Sequence, residues 1–252
     1  MHFFFSDAHL GLGQPAASRQ REQAVLRFLR MVGEQRAQTL FIVGDLFDYW
    51  FDYRTVIPRQ FVRTLSAIAE LVEAGTRVEY VIGNHDFGHR DFFQNELGVA
   101  VHTGDLATTI AGRRCYISHG DGKAFNDTGY LILKKILRAR ISNILFRAVH
   151  PDLGIGLAMW ASQRSRDYTS QKNYGAKGLD AEQPGESDGL YAFAQKKIAQ
   201  EGFQLVVMGH SHVPRCVELE GGTYINLGAW LKDRYYLQLS DEGLIFQPFT
   251  LL

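Results

Sequence analysis

Cysteine is scarce in this chain. Only Cys115 and Cys216 occur among 252 residues, and neither belongs to a CxxC pair. A disulfide framework or a thiolate zinc site needs several cysteines at characteristic spacings, so the sequence implies neither. This cysteine usage fits a reducing compartment.

An excess of charge of either sign is also missing, because 27 basic residues balance 27 acidic ones. A zero net charge argues against a protein that binds nucleic acid through a globally basic surface, and we expect no nucleic-acid partner. No apolar run reaches about 18 residues, the length needed for a membrane-spanning helix. The N-terminal stretch also lacks the basic region and the cleavage site of a signal peptide. We therefore expect a cytoplasmic protein that does not span the membrane.

Apolar runs alternate with helical patterns through the first half of the chain. Strand-like runs at 2–6, 39–43 and 77–82 are separated by amphipathic helical patterns near 19–35 and 58–74. Such alternation predicts βαβ units and a largely parallel sheet. With 46% hydrophobic residues, the chain has enough material for a sizeable core, and we predict a single domain over 1–252.

The second half of the chain is expected to build a second sheet around an insertion. The stretch 123–175 reads as mostly helical and interrupts the β pattern, so we predict a helical cap inserted into the domain. The predicted elements around it are a hairpin at 105–118 that turns at Ala111 and Gly112, a helix near 188–201, a strand at 204–208, and a β-rich tail from 215 to 250 that completes the second sheet.

Five polar clusters each follow an apolar run. They read SDAHLG (6–11), GDLFD (44–48), GNHD (83–86), SHGD (118–121) and GHSH (209–212). A lone Asp-x-His pair usually marks a turn or a helix cap, but five clusters at strand ends are typical of a metal site. The candidate ligands are Asp7, His9, Asp45, Asn84, His119, His210 and His212, with His85 beside them.

The mixture of these side chains indicates the kind of metal. Imidazole nitrogens together with carboxylate and amide oxygens suit Mn, Fe or Zn, whereas an all-oxygen set would suit Mg or Ca. Seven ligands are too many for one open catalytic site. They suffice for two ions about 3.5–4 Å apart that share one carboxylate, and such a pair activates water for attack on a phosphoryl group. The residues alone leave His85 open as a ligand, a catalytic acid or a turn residue.

In this order the five clusters resemble the motifs of the calcineurin-like metallophosphoesterase superfamily. The resemblance implies an α/β fold of four layers, in which two packed mixed β-sheets are flanked by helices. It also implies two divalent ions, Mn²⁺ in the first place with Fe or Zn as alternatives. By this resemblance Asp7, His9, Asp45 and His212 hold the first ion, and Asp45, Asn84, His119 and His210 hold the second, with Asp45 as the bridge.

The resemblance also suggests an answer for His85. In that superfamily the histidine of the GNH motif is not a ligand but faces the scissile phosphate, where it steadies charge or protonates the leaving oxygen. The resemblance then makes Asp86 the acid that orients His85. A structural turn histidine is the alternative.

A narrower resemblance concerns the substrate. GDLFDYW, the run from HGD to NDTGY (119–130), the helical insert and NLGAW (226–230) are similar to the UDP-2,3-diacylglucosamine hydrolase family of lipid A biosynthesis. That family cleaves a diphosphate to give UMP and 2,3-diacylglucosamine 1-phosphate. Its best-known branch carries Arg where this chain, like a second branch, has His85. The alternatives are the same two-metal chemistry on a nucleotide or phosphoprotein, and a non-catalytic metal-binding scaffold.

The resemblance extends to residues that would hold a UDP-sugar lipid. Thr169 stands where the family usually has Asn. The stretch 128–151 has five basic residues, no acidic residue and many large apolar ones, which suits an acyl-chain groove or an anionic membrane surface at the inner face of the inner membrane. A helical cap with a solvated basic face explains that composition as well. The candidate substrate-binding residues are Asn126, Asp127, Ser165, Thr169 and Lys172.

Overall fold

The computed structural model describes residues 1–123, 140–156 and 186–250. The first half contains β1 (His2–Phe5), α1 (Pro15–Glu34), β2 (Thr39–Val43), a 3-10 turn (Arg59–Phe61), α2 (Val62–Glu73), β3 (Arg77–Val81), α3 (Phe92–Asn95), β4 (Ala100–His102), β5 (Leu106–Ile110) and β6 (Arg113–Ser118). After these come α4 (Arg140–Arg147), α5 (Glu186–Glu201), β7 (Leu205–Met208), β8 (Arg215–Leu219), β9 (Gly222–Asn226), β10 (Tyr235–Ser240) and β11 (Gly243–Pro248).

The strands form two mixed sheets. The first sheet has the order β11-β10-β1-β2-β3-β4, in which β1 to β4 run parallel and β10 pairs antiparallel with β1. The second has the order β5-β6-β7-β9-β8, with a parallel centre of β6, β7 and β9 and antiparallel strands at both edges. The predicted parallel βαβ units and the predicted hairpin of β5 and β6 are both confirmed.

One part of the predicted topology was wrong. The tail from 215 to 250 does not lie wholly in the second sheet, because only β8 and β9 join it. The hairpin of β10 and β11 crosses to the first sheet, where Leu237 of β10 lies opposite Phe4 of β1. The physical reason is burial, since Leu237 and Leu239 point into the apolar space between the two sheets.

Successive side chains of a strand point to opposite faces of its sheet, so each sheet packs on the other sheet with one face and on helices with the other. In β1, Phe4 points between the sheets, where its ring stacks on Phe41 of β2 with a centroid distance of 4.5 Å. Phe3 and Phe5 point the other way, towards Phe28 of α1. On the outer face of the second sheet, α5 packs its buried apolar side chains against β6, β7 and β9. The four-layer α/β fold is therefore confirmed.

This arrangement decides where a site can form. Strands β1, β2 and β3 of the first sheet and β6 and β7 of the second all end beside the same seam between the sheets. Across the seam, His119 Nδ1 donates to Val43 O over 3.0 Å and His210 N–H donates to Asp7 Oδ2 over 3.1 Å. Further bonds join the loops within each sheet. Asp7 N–H donates to Gly44 O over 3.1 Å, and Gly209 N–H donates to His119 O over 3.0 Å. Side chains on these loops can therefore converge, as expected at the carboxyl ends of parallel strands.

The predicted cap at 123–175 is described only in part. Residues 140–156 contain α4 and a further helical turn at 151–156, and Phe146 of α4 packs on Phe51 with a centroid distance of 4.7 Å. The rest of the predicted cap lies outside the described residues. Within the described ranges, no helix combines the length and the apolar character needed to span a membrane.

Candidate metal centre

All seven predicted ligands lie on loops that directly follow strands. Five of them have a backbone φ between 43° and 69°, the left-handed region that non-glycine residues seldom adopt: Asp7, His9, Asp45, His210 and His212. Such backbone strain tends to cluster at functional sites, where the surrounding structure holds it in place. The loops thus adopt a strained backbone conformation, and this conformation sets the direction in which the five side chains point.

One group joins the loop after β1 to the loop after β7. The Nε2 atoms of His9 and His212 are 3.0 Å apart, and Asp7 Oδ1 lies 3.4 Å from His212 Nε2 and 3.7 Å from His9 Nε2. Asp7 Oδ1 is buried and accepts no hydrogen bond. Two imidazole nitrogens and a carboxylate oxygen that converge in this way are the donor set of a first-row divalent ion.

A second group joins the loops after β2, β3 and β6. His119 Nε2 lies 3.3 Å from Asp45 Oδ2 and 3.0 Å from Asn84 Oδ1. The other ring nitrogen of His119, Nδ1, donates to Val43 O over 3.0 Å, which turns Nε2 towards the two oxygens. The ring of His210 lies beside that of His119, with a centroid distance of 5.1 Å. These are the four residues predicted for the second ion.

Asp45 lies between the two groups. Its Oδ2 atom is 3.8 Å from His9 Nε2 and 3.3 Å from His119 Nε2, while its Oδ1 accepts the backbone N–H of His85 over 2.9 Å. One carboxylate therefore reaches a histidine of each group. This is the position that a bridging ligand would need.

The electrostatics of the cluster also fit divalent cations. Burial by itself acts to lower the pKa of His9, but the nearby carboxylates of Asp48 and Asp7, 3.5 and 3.7 Å from its ring nitrogens, outweigh it and raise the pKa to about 9. Burial likewise acts to raise the pKa of Asp45, yet the charge of His119 holds it well below its usual value. The buried carboxylates are thus stabilised by positive charge on neighbouring side chains, and bound cations would stabilise them in the same way.

His85 lies at the rim of this cluster, with about a fifth of its side chain exposed. Its ring stands perpendicular to that of His9 with a centroid distance of 5.0 Å, and its Nδ1 lies 3.2 Å from Asp48 O. His9, Asp45 and His85 also bring ligand atoms within 4.8 Å of one another, so a ligand role for His85 is sterically open. Its position at the mouth of a buried cluster equally suits contact with a substrate.

Asp86, which the resemblance makes the acid that orients His85, uses its carboxylate for other contacts. Its carboxylate is buried and accepts hydrogen bonds from Leu46 N–H over 2.9 Å, Gly83 N–H over 2.8 Å and the Tyr80 hydroxyl. These bonds turn it into the protein and fasten the loop after β2 to the loop after β3. Asp86 therefore supports the loops that carry Asp45 and Asn84.

Asp48 is the site residue that the sequence reasoning missed. Its Oδ1 lies 3.5 Å from His9 Nδ1 and 3.9 Å from His85 Nδ1, so one carboxylate faces both rings from behind. The signal was present, because Asp48 is the second aspartate of GDLFD. Its proximity to two loops of distant sequence could only be seen in the fold.

Glycine at the start of the loops after β3 and β7 makes the close approach possible. A Cβ atom at Gly83 would lie 2.0 Å from Asp45 Oδ1, and a Cβ at Gly209 would lie 2.3 Å from Asp7 Oδ2. No side chain can occupy either position while the carboxylates stay where they are. The geometry of the site therefore requires glycine at both positions.

A small polar cavity of about 160 Å³ opens beside His119. Asp105 lies in its wall and accepts hydrogen bonds from Ser118 Oγ and Lys123 Nζ, each over 2.6 Å. These bonds fix the start and the end of the loop that carries His119. The predicted substrate-binding residues Asn126, Asp127, Ser165, Thr169 and Lys172 lie outside the described residues, and their roles remain predictions.

The arrangement agrees with the comparison with known families. Residues 3–214 match the family model described as calcineurin-like phosphoesterase. The chain belongs to this family. All seven candidate ligands of this calcineurin-like phosphoesterase fall within the matched range.

Curated relatives align over nearly the full length of the chain. A protein of Porphyromonas gingivalis is 29% identical, with 97% of this chain and 96% of that protein covered. One of Ectopseudomonas mendocina is also 29% identical, covering 100% and 99%, and one of Haemophilus ducreyi is 26% identical, covering 97% and 98%. All three are named UDP-2,3-diacylglucosamine hydrolase.

Replacing Gly83 by alanine tests the geometry of the cluster. The new Cβ would overlap Asp45 Oδ1, so Gly83→Ala should displace that carboxylate and abolish retention of divalent ions after gel filtration. Gly104→Ala is the matched control, because a Cβ at Gly104 meets no atom within 4 Å. Elemental analysis should find wild-type metal content in the control and almost none in Gly83→Ala. Equal metal content in both variants would contradict the described position of Asp45.

Proposed function

We propose that the protein is a two-metal hydrolase that cleaves the diphosphate of UDP-2,3-diacylglucosamine to UMP and 2,3-diacylglucosamine 1-phosphate. The observation that carries this proposal is the convergence of imidazoles and carboxylates from five loops on the buried side chains of Asp7, His9, Asp45 and His119, with His85 at the rim. Family membership supports phosphoester chemistry, and the names of the relatives support this substrate.

Two divalent ions are proposed, one for each group of side chains. Asp7, His9 and His212 would hold the first ion, and Asn84, His119 and His210 the second, with Asp45 shared between them. Bound there, the ions would act as Lewis acids on the phosphoryl group and on the attacking water. The mixed nitrogen and oxygen donors suit Mn, Fe and Zn alike, and we propose Mn²⁺ on the family resemblance.

The protein's own contribution to the reaction would come from His85. With Nδ1 turned towards the carbonyl of Asp48, His85 would present Nε2 to the bound diphosphate. From there it would steady the developing charge or protonate the oxygen that leaves with the sugar 1-phosphate. Asp48 would keep the ring in this direction, the role that the family resemblance gave to Asp86.

The lipid end of the substrate would lie against the cap. On α4 and the turn after it, Ile144, Leu145 and Leu153 expose 55%, 65% and 65% of their surface, next to Arg147. Exposed apolar side chains beside a cation suit acyl chains or an anionic membrane surface, and we propose peripheral contact with such a surface. A UDP head group would be held by the predicted residues at 126, 127, 165, 169 and 172.

The substrate itself provides the deciding experiment. UDP-2,3-diacylglucosamine should be hydrolysed in the presence of Mn²⁺, and hydrolysis in ¹⁸O-water should place the label in UMP, because water would attack the α-phosphorus in line with the departing lipid phosphate. Mass spectrometry of both products reads this out. Label in the lipid phosphate would reverse the proposed orientation.

The same assay separates the two alternatives. Good turnover of bis-p-nitrophenyl phosphate without turnover of the UDP-lipid would favour a different phosphoester as substrate. Absence of turnover of both compounds by Mn²⁺-loaded protein would favour a non-catalytic metal-binding scaffold. The scaffold is disfavoured by the geometry, since each predicted ligand is present and His85 lies beside the cluster.

A bridging role for Asp45 predicts a distinctive pattern of metal loss. Asp45→Ala should lose both ions together, whereas His212→Ala should lose one, because His212 contacts only the group of Asp7 and His9. Asp152→Ala, with an exposed carboxylate, should keep two and serves as the control. Metal analysis after Mn²⁺ loading gives the three stoichiometries. Loss of a single ion from Asp45→Ala would remove the bridge from the proposal.

The role of His85 can be separated from metal binding. His85→Ala should keep both ions and lower kcat by roughly 10²–10⁴, the range of a positioned proton donor. His150→Ala, an exposed histidine near the cap, is the matched control and should leave kcat for bis-p-nitrophenyl phosphate unchanged. If the His85 variant lost an ion along with its activity, His85 would be a ligand.

A further inference from the structure

The proposed metal centre is divided between the two sheets. The first sheet supplies Asp7, His9, Asp45 and Asn84, and the second supplies His119, His210 and His212. Among the described residues, the strands of the two sheets are not hydrogen-bonded to each other, so polar contacts at the ends of the strands have to align the two sets of ligands. One such contact lies within the site, where His119 Nδ1 donates to Val43 O over 3.0 Å. A second comes from the segment that follows β9.

The segment 226–230, which reads NLGAW, connects the two sheets at this point. It leaves β9 beside β7, where Leu227 N–H donates to Met208 O over 2.7 Å. It then reaches the end of β1, where Trp230 N–H donates to Asp7 O over 2.9 Å. Ser6 Oγ donates to Gly228 O over 3.3 Å and adds a second bond on the same side. The segment is thus hydrogen-bonded to both sheets.

Asn226 holds this segment to the loop that carries two of the histidines. Its side chain is fully buried, and its Nδ2 donates to Gly209 O over 2.7 Å while its Oδ1 accepts Gly228 N–H over 3.1 Å. Gly209 is the first residue of GHSH, and its own N–H donates to His119 O. The peptide groups of Gly209 are therefore held from both sides.

A small movement of Gly209 would change the distances between the candidate metal ligands. Gly209 lies so close to Asp7 that a Cβ atom would come within 2.3 Å of Asp7 Oδ2, and the next N–H, that of His210, donates to the same oxygen over 3.1 Å. A displaced Gly209 would carry His210 and His212 away from Asp7. Both groups of ligands would then open together.

We propose that Asn226 is a positioning residue for the metal centre, which sets the histidines of the second sheet against Asp7 and so determines the affinity for divalent ions. This inference rests on the proposed metal centre and is independent of the substrate. Asparagine suits the position because one side chain must donate to Gly209 O and accept from Gly228 N–H at the same time.

Asn226→Asp removes the 2.7 Å bond to Gly209 O, together with the longer bond from Nδ2 to the Tyr224 hydroxyl at 3.3 Å. Aspartate has the same shape and keeps an acceptor for Gly228 N–H, but it turns a carboxylate oxygen towards Gly209 O, which cannot donate. Titration of metal-free protein with Mn²⁺ should show binding weakened by about tenfold or more, as for other residues that orient metal ligands. The expected loss of affinity needs no activity measurement.

Thr76→Val is the control for a merely structural effect. Thr76 is buried and its Oγ1 donates to Ala37 O over 3.0 Å, but it precedes β3 at the end of the sheet away from the cluster. Urea unfolding of the metal-free proteins should show that both variants are destabilised, whereas only Asn226→Asp should bind Mn²⁺ more weakly. Unchanged affinity in Asn226→Asp, or an equal loss in Thr76→Val, would overturn the inference.

Ser6→Ala gives a second route to the same answer if Asn226→Asp does not fold. It removes the bond from Ser6 Oγ to Gly228 O and so loosens the segment from the side of the first sheet. Weaker Mn²⁺ binding by a folded Ser6→Ala protein supports the inference, and wild-type affinity overturns it. If wild-type protein itself failed to bind two Mn²⁺ ions, the proposed metal centre would fail instead.

Discussion

The site depends on two carboxylates, those of Asp7 and Asp45, that are buried at the seam between the sheets. Each approaches the Nε2 atom of His9 to within 3.8 Å, and neither is tolerable in an apolar interior unless positive charge is close by. This demand accounts for the surrounding histidines, the left-handed backbone of the loops and the glycines that allow close contact. The strained loop conformations bring the imidazoles within 4 Å of these carboxylates.

The periodicity of the first half predicted its architecture well. Strands β1, β2 and β3 lie within one residue of their predicted ends, since apolar runs bounded by polar clusters leave little choice of register. The candidate ligands were equally visible, because motif spacing fixes which residues follow a strand. Pairing between distant strands was not visible, so the placement of β10 beside β1 had to come from the structure. Local periodicity says nothing about which of two apolar surfaces will bury a hairpin.

The sequence also could not predict which side chains on different loops contact each other. The family resemblance made Asp86 the acid that orients His85, but the hydrogen bonds of its carboxylate lead inward to Tyr80 and two backbone N–H groups. Asp48, 37 residues away in the chain, lies beside the His85 ring. The resemblance had given Asp48 no role. Hydrogen bonding of a buried carboxylate is decided by which donors the fold leaves unpaired, and these are known only after the loops are in place.

The segment from Asn226 to Trp230 has a consequence for how this domain can be cut or recombined. The range matched to the family ends at residue 214 and contains every candidate ligand, whereas part of the hydrogen bonding between the two sheets at the site comes from residues after it, through Gly228 and Trp230. A chimera that exchanged only the matched range would transplant the ligands without the segment that is hydrogen-bonded to Ser6 and Asp7. The residues after the matched range therefore contribute to the geometry of the site as well as to the fold.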